Sequence, residues 1–248
     1  MIPEFWWCVG AGFAAQLIDG ALGMAYGVTA SSLLLAFGVP PFSVSATVHA
    51  AECFTTGASA ISHHAFENID RRLFKALLLP GIVGAITGAY VLTSLPGDSL
   101  KPWVAGYLLI MGGVIVVKAF RSFPPRAVTT HLSTLGFTGA LLDTLGGGGW
   151  GPIVTSTLVG RGNEVRTTVG TVNAVEFFVT VSASVTFFLT IGLSNWQMIA
   201  ALALGGIPAA PLGAWACKHL KVQRLMVLVG LLVILTSGRT LLKSAGLL

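Results

Sequence analysis

Apolar runs, several of them eighteen residues or longer, recur along almost the whole chain and limit what it can fold into. At 1.5 Å per helical residue, such a run comes close to crossing a hydrocarbon core about 30 Å thick. The runs are continuous and lack the alternating period of barrel strands, so helices are expected rather than a β-barrel. Composition agrees: 54% of the 248 residues are hydrophobic and only 9% are charged, against roughly 25% charged in an ordinary soluble domain. The chain reads as an all-α polytopic membrane protein in contact with a lipid bilayer.

The second constraint is a duplication. Sliding the chain by 124 positions lays residues 12–56 on 136–180 without a gap. Asp19, Gly23, Gly27, Gly38, Thr47, Glu52 and Thr56 fall on Asp143, Gly147, Gly151, Gly162, Thr171, Glu176 and Thr180. Two units follow, repeat 1 over 1–124 and repeat 2 over 125–248, within one integrated transmembrane domain. In repeat 1 an apolar run over 5–22 is interrupted by GALGMAYG (20–27) and resumes over 28–37, and GVPP ends it. Further segments cover 42–64, 73–95 and 102–120. Repeat 2 follows the same plan: 131–145, a glycine break, 152–159, then 166–191, 195–217 and 222–242.

Basic residues choose between two topologies. If each broken element crosses the membrane once, Lys and Arg divide almost evenly between the faces. If its two arms form a hairpin with no net crossing, Arg71, Arg72, Lys75, Lys118, Arg121, Arg126, Arg161, Arg166, Lys218, Lys221 and Arg224 share one side, leaving Lys101, Arg239 and Lys243 opposite. The positive-inside rule favours the hairpin and makes the rich side cytoplasmic. Each repeat is then a glycine-broken helix hairpin followed by three transmembrane helices, and the two repeats have inverted topology. The net charge of +5 reflects these orientation signals rather than an affinity for nucleic acid. Glu4 stands where a signal peptide would carry basic residues, so none is expected.

The breaks carry the first candidate site residues: Gly146, Gly147, Gly148, Gly149, Trp150 and Gly151 in repeat 2, with Gly23, Tyr26 and Gly27 in repeat 1. Each glycine costs a helix interior about 1 kcal/mol relative to alanine. A half-helix restarting at Gly151-Pro152 would present unpaired N–H groups and a positive dipole end, which suits an anion. Non-helical backbone at membrane depth is tolerated inside protein or beside a watery cavity. Broken helices at corresponding places in two repeats point to a transporter's binding site. Gly81, Gly84 and Gly88 read instead as close-packing glycines.

In the segment after the first break, Ser45, His49, Glu52, Thr56, Ser59 and His63 form one polar stripe at helical spacing. Its counterpart carries Asn173, Glu176, Thr180 and Ser184. A mid-span acid costs about 2.5–3.5 kcal/mol on the insertion scale, so these should face a cavity or a partner. His49, Glu52, Asn173 and Glu176 are substrate-site candidates, and Glu52, Glu176, Asp19 and Asp143 are proton-coupling candidates. Two structural readings compete: the glutamates tie the stripe to the adjacent loop, or the aspartates cap N–H groups freed by each break. Arg161 and Arg166 flank the second break's short helix, and their orientation role accounts for them. Trp6, Trp7, Trp103 and Trp196 suit interfacial anchors.

The paired units, the GGGGWGPIVTS run and the stretch GVPPFSVSATVHAAECFTTG resemble the TauE/SafE sulfite exporter family of membrane permeases over essentially the whole chain. The resemblance implies a bacterial inner-membrane transporter, often an exporter, of sulfite or organosulfonate-type anions. The first break departs from the glycine-only pattern, so the two half-sites need not be equivalent. Together these readings predict a secondary transporter that binds a small sulfur-containing anion at mid-membrane between the breaks. Nothing resembles a nucleotide-binding loop, so an ion gradient is the expected driving force; no cofactor or metal is called for. Three alternatives stay open: an anion channel, a permease for another small anion or sulfur compound, and a membrane enzyme or thiol carrier built on Cys53 beside Glu52 and near His49. Cys8, Cys53 and Cys217 show no paired or metal-binding spacing, so disulfide scaffolding and thiol redox chemistry are not expected, and the transporter reading is preferred to an enzyme. Oligomeric state is open, a homo-oligomer included.

Overall fold

The computed structural model describes residues 5–120, 131–192, 195–219 and 223–247. Glu4, Arg121, Arg126 and Lys221 lie outside the described residues, as do the side chains of Cys217, Lys218 and Arg224. The described residues are helical almost throughout: α1 (Phe5–Leu22), α2 (Tyr26–Ala36), α3 (Pro41–Ala65), α4 (Arg71–Thr93), α5 (Gly97–Ala119) and α6 (Leu132–Gly146). A π-helical turn (Gly151–Thr155) runs into α7 (Ser156–Gly160), followed by α8 (Val165–Ile191), α9 (Trp196–His219) and α10 (Gln223–Ser244). Among the described residues six helices, α1, α4, α5, α8, α9 and α10, are long and apolar enough to cross a membrane. At 25 residues α3 is also long enough, but its polar stripe keeps it out of that set.

Local chemistry sets the helix ends. Pro41 opens α3 at a position where a missing N–H does no harm. Asp70 caps α4 by accepting from Arg72 N (2.7 Å) and Leu73 N (3.2 Å), and Glu164 caps α8 through Arg166 N (3.1 Å) and Thr167 N (2.7 Å). Arg166 turns away from the break: its Nε donates to Asn68 Oδ1 at 2.6 Å and its Nη2 to Glu67 O at 3.2 Å. It thereby joins the start of α8 to the α3–α4 loop, at the end of the bundle that also carries Arg71, Arg72 and Arg161.

The first broken element is a hairpin. Cys8, Gly10 and Ala11 at the start of α1 share one cleft with Ala30, Leu33, Leu34 and Phe37 at the far end of α2, so the two arms run antiparallel with the break at the tip. In the second, a Cβ on Gly139 of α6 would strike Val154 beyond the break, the same folding back.

Packing between helices relies on small residues, as it must where lipid and core are equally apolar. α1 lies along α9, with Gly12 against the Leu202 carbonyl; α6 lies along α4, with Gly136 against the Leu77 carbonyl. Gly84 and Gly88 face the carbonyls of Phe137 and Leu141, and Gly81 faces Val179 and Trp150, so these three glycines serve close packing. α5 pairs with α10. α3 and α8 cross at the centre, where Thr56 and Thr180 hydroxyls lie 3.4 Å apart. Trp6, Trp7, Trp103 and Trp196 are exposed on the outside, where interfacial anchors belong.

Candidate functional site

Each break is organised by the aspartate that precedes it. Asp19 Oδ1 accepts from Ala25 N (2.9 Å) and Tyr26 N (3.3 Å). Asp143 Oδ1 accepts from Trp150 N at 3.0 Å. The acids thus satisfy N–H groups freed where the helix stops, and those N–H groups are engaged by protein.

The two breaks touch backbone to backbone. A Cβ on Gly27 would lie 2.8 Å from Gly148 Cα and 3.1 Å from Glu52 Oε1, and one on Gly151 would meet the Gly23 carbonyl. Two hydroxyls lock this contact reciprocally: Ser31 Oγ donates to Gly147 O, and Thr155 Oγ1 donates to Gly23 O at 2.7 Å. Under the 124-residue slide Ser31 falls on Thr155 and Gly23 on Gly147, so one interaction is made twice. Sequence reasoning passed over both hydroxyls, although their matched positions were a usable signal.

Residues Gly146 to Gly151 are all buried. Gly146 and Gly149 face the ring and hydroxyl of Tyr107 from α5, and the Trp150 Nε1 donates to Val172 O at 3.2 Å. Tyr26 is buried as well. At Gly148 an added Cβ would run into the carbonyl carbon of Gly27 and the nitrogen of Val28, two backbone atoms that cannot step aside. Gly148→Ala is therefore expected to destabilise the protein by about 1–3 kcal/mol, the range for overpacking. Gly106→Ala, where a Cβ meets nothing within 4 Å, should be neutral or better. Thermal unfolding of both variants in detergent checks the pair.

α3 holds both breaks along its polar stripe. Ser45 Oγ donates to Thr144 O at 2.6 Å, and His63 Nε2 donates to Gly20 O at 2.9 Å while Nδ1 receives Asn68 Nδ2 at 3.0 Å. His49 is arranged differently. Its Nδ1 faces Ser45 O at 2.8 Å and its Nε2 faces Asp143 Oδ2 at 3.1 Å. Both partners are acceptors when the carboxylate is ionised, so each His49 ring nitrogen faces an oxygen that can accept from it.

The first break lacks this pairing. The position matching His49 is Asn173, whose Oδ1 accepts from Ser59 at 2.7 Å and whose Nδ2 donates to Val169 O at 3.1 Å. Asp19 Oδ2, Glu52 Oε2, Glu176 Oε2 and both amide atoms of Gln16 are buried without a hydrogen-bond partner among the described residues. Asp19, Asp143, Glu52 and Glu176 lie within electrostatic reach of one another. Polar atoms in that condition are costly unless something brought into the site satisfies them.

Cys53 is half-buried, its Sγ 3.3 Å from both His49 O and Ser184 Oγ, contacts that hold a thiol in place. Lys118, read from sequence as an orientation charge, sends its Nζ to Pro152 O at 3.1 Å. It lines a small cleft of about 120 Å³ with Leu22, Met24, Ser156, Val159, Val165 and Met226, which puts a cation beside both breaks. No spacing rule would have found it, because the contact depends on how α5 packs.

Residues 8–240 match the family described as Sulfite exporter TauE/SafE. The chain is also 43% identical over 241 residues, covering 93% of this chain and 80% of the relative, to a Bacillus subtilis (strain 168) protein described as "Probable membrane transporter protein YtnM". No solved structure gives a significant match. With its apolar helices and its buried pair of broken elements, the chain belongs to the sulfite exporter TauE/SafE family and is a multi-pass membrane transporter, not an enzyme.

Proposed function

We propose that this protein is a secondary transporter that carries sulfite or an organosulfonate-type anion across the bacterial inner membrane, in the export direction, and that an ion gradient drives it. The substrate binds at mid-membrane between the two breaks, near Gly23, Gly27 and the Gly146–Gly151 run, with Glu52, Glu176, His49 and Asn173 lining the site. The observation that carries this reading is the reciprocal contact of the breaks beside Asp19, Glu52 and Glu176, each with one buried oxygen that has no hydrogen-bond partner among the described residues. Such a meeting of two irregular segments inside a bundle suits a site that opens when one half rocks against the other.

The two halves, 1–124 and 125–248, are inverted relative to each other in this proposal. The packing supports it: α1 on α9 exchanges with α6 on α4 when the repeats are swapped, and α3–α8 and α5–α10 map onto themselves. Protons are the coupling ion that fits, because each His49 ring nitrogen faces an acceptor and the two glutamates each keep a buried oxygen without a hydrogen-bond partner among the described residues. Protonation of the acids would also remove their repulsion of an anion. An anion channel is the competing reading, and it requires uncoupled, ohmic conductance in a bilayer.

Purified protein in proteoliposomes, challenged with sulfite, sulfonates, thiosulfate, sulfate and carboxylates, is expected to give saturable flux of sulfite or a sulfonate. Carboxylate-only transport would overturn the substrate assignment. For topology, single cysteines at Lys101 and Arg72, in a background without Cys8, Cys53 and Cys217, should react with an impermeant reagent from opposite faces. Labelling from one face would refute the inverted count.

A further inference from the structure

The three basic residues that stand apart from the rest, Lys101, Arg239 and Lys243, come together in the fold. They line one cavity of about 460 Å³ with Leu35, Thr240 and Ser244 at the ends of α2, α5 and α10. No described lining residue is acidic, and none of the three cations has an ion pair among the described residues. This end of the bundle is opposite the Arg71–Arg72 and Arg161–Arg166 loops.

A second cavity adjoins it. A cleft of about 700 Å³ opens between α1, α2, α9 and α10, lined by Trp7, Gly10, Ala11, Leu33, Leu34 and Leu232, among others. Phe37 lines both cavities. On α10, Leu232 lies two helical turns below Arg239, about 10 Å deeper along the axis and on the same face. The arrangement is amphipathic in one direction: three cations at the rim, then an apolar cleft that continues along α2 and α10. Trp7, which borders the cleft, belongs to the exposed tryptophans suited to the membrane interface.

We propose that these joined cavities bind one anionic phospholipid, with its phosphate headgroup among Lys101, Arg239 and Lys243 and an acyl chain along the cleft beside α2. Charge complementarity selects the headgroup, and the apolar cleft on the other side of Phe37 suits an acyl chain, which a free ion lacks. The occupant would lie against α2, the second arm of the first broken element, but the binding itself does not depend on the transport scheme.

Native mass spectrometry of the full-length protein, with phosphatidylglycerol or phosphatidylcholine added, tests the assignment. Wild type should retain phosphatidylglycerol about tenfold more than phosphatidylcholine. The triple variant Lys101→Gln/Arg239→Gln/Lys243→Gln should lose that preference while its unfolding temperature in phosphatidylcholine stays unchanged. Gly10→Phe, placed where a Cβ meets nothing within 4 Å, should fill the cleft and reduce retention of both lipids. Equal retention of the two lipids by wild type, or an unchanged preference in the triple variant, would overturn the proposal. Protection from heat by free glycerol phosphate equal to that by phosphatidylglycerol, with no effect of Gly10→Phe, would assign the cations to a soluble anion instead and overturn it too.

Discussion

Glu52→Gln and Glu176→Gln should each reduce substrate flux in proteoliposomes by at least about tenfold, a change of about 1.4 kcal/mol in barrier height, and leave the folded protein as stable as before or more so. Both carboxylates are buried, each with one oxygen lacking a partner among the described residues. Glu52 Oε1 stands against Gly27 at the first break. Glutamine keeps the volume and one acceptor oxygen, turns the other oxygen into an NH2 donor, and cannot carry a charge or release a proton. If the glutamates only tie helices together, an amide should weaken the fold and spare transport. If they work on substrate or protons, the reverse holds, because removing a charge that costs about 2.5–3.5 kcal/mol to insert relieves the fold. Flux and unfolding temperature measured on the same preparation separate the two. Normal flux in both variants would remove the glutamates from the transport site.

The second large effect is asymmetric. Asp143→Ala breaks a buried pair at 3.1 Å with His49 and strips the acceptor from Trp150 N. Removing one partner of a buried pair that can carry charge costs up to about 3–5 kcal/mol. Asp19→Ala removes only the acceptor for Ala25 N and Tyr26 N, a loss of about 1–3 kcal/mol for orphaned donors. Asp143→Ala should therefore lower the unfolding temperature clearly more than Asp19→Ala does. A His49→Gln/Asp143→Asn double variant should lose less than the sum of its single variants, since each residue matters through the other. Equal losses at the two aspartates would mean that the His49 pairing contributes nothing.

That asymmetry shows what a sequence can and cannot disclose. Apolar runs bounded by proline, glycine and charge located the helices closely; the run over 5–22 is α1 itself, and 42–64 falls one residue inside each end of α3. The stripe from Ser45 to His63 is buried along its length, because polar groups at helical spacing on an apolar helix have nowhere else to go. The duplication singled out the two aspartates, and the structure finds both on N–H groups seven residues on. What stayed hidden depends on which helix packs against a break. Tyr107 over Gly146 and Gly149 and Lys118 at Pro152 come from α5, far from the repeat's matched core. The π-helical turn over Gly151–Thr155 is another case, since the sequence there reads as an ordinary half-helix start. The asymmetry was expected in the missing glycines of GALGMAYG. It lies equally in His49 standing where repeat 2 has Asn173.

The most direct test of paired breaks working as a gradient-driven anion site is luminal pH in proteoliposomes as sulfite is added outside. The account predicts a substrate-dependent pH change in wild type that saturates with sulfite and disappears in Glu176→Gln. Sulfite entering without moving protons, in linear proportion to its concentration and equally in both proteins, would contradict it.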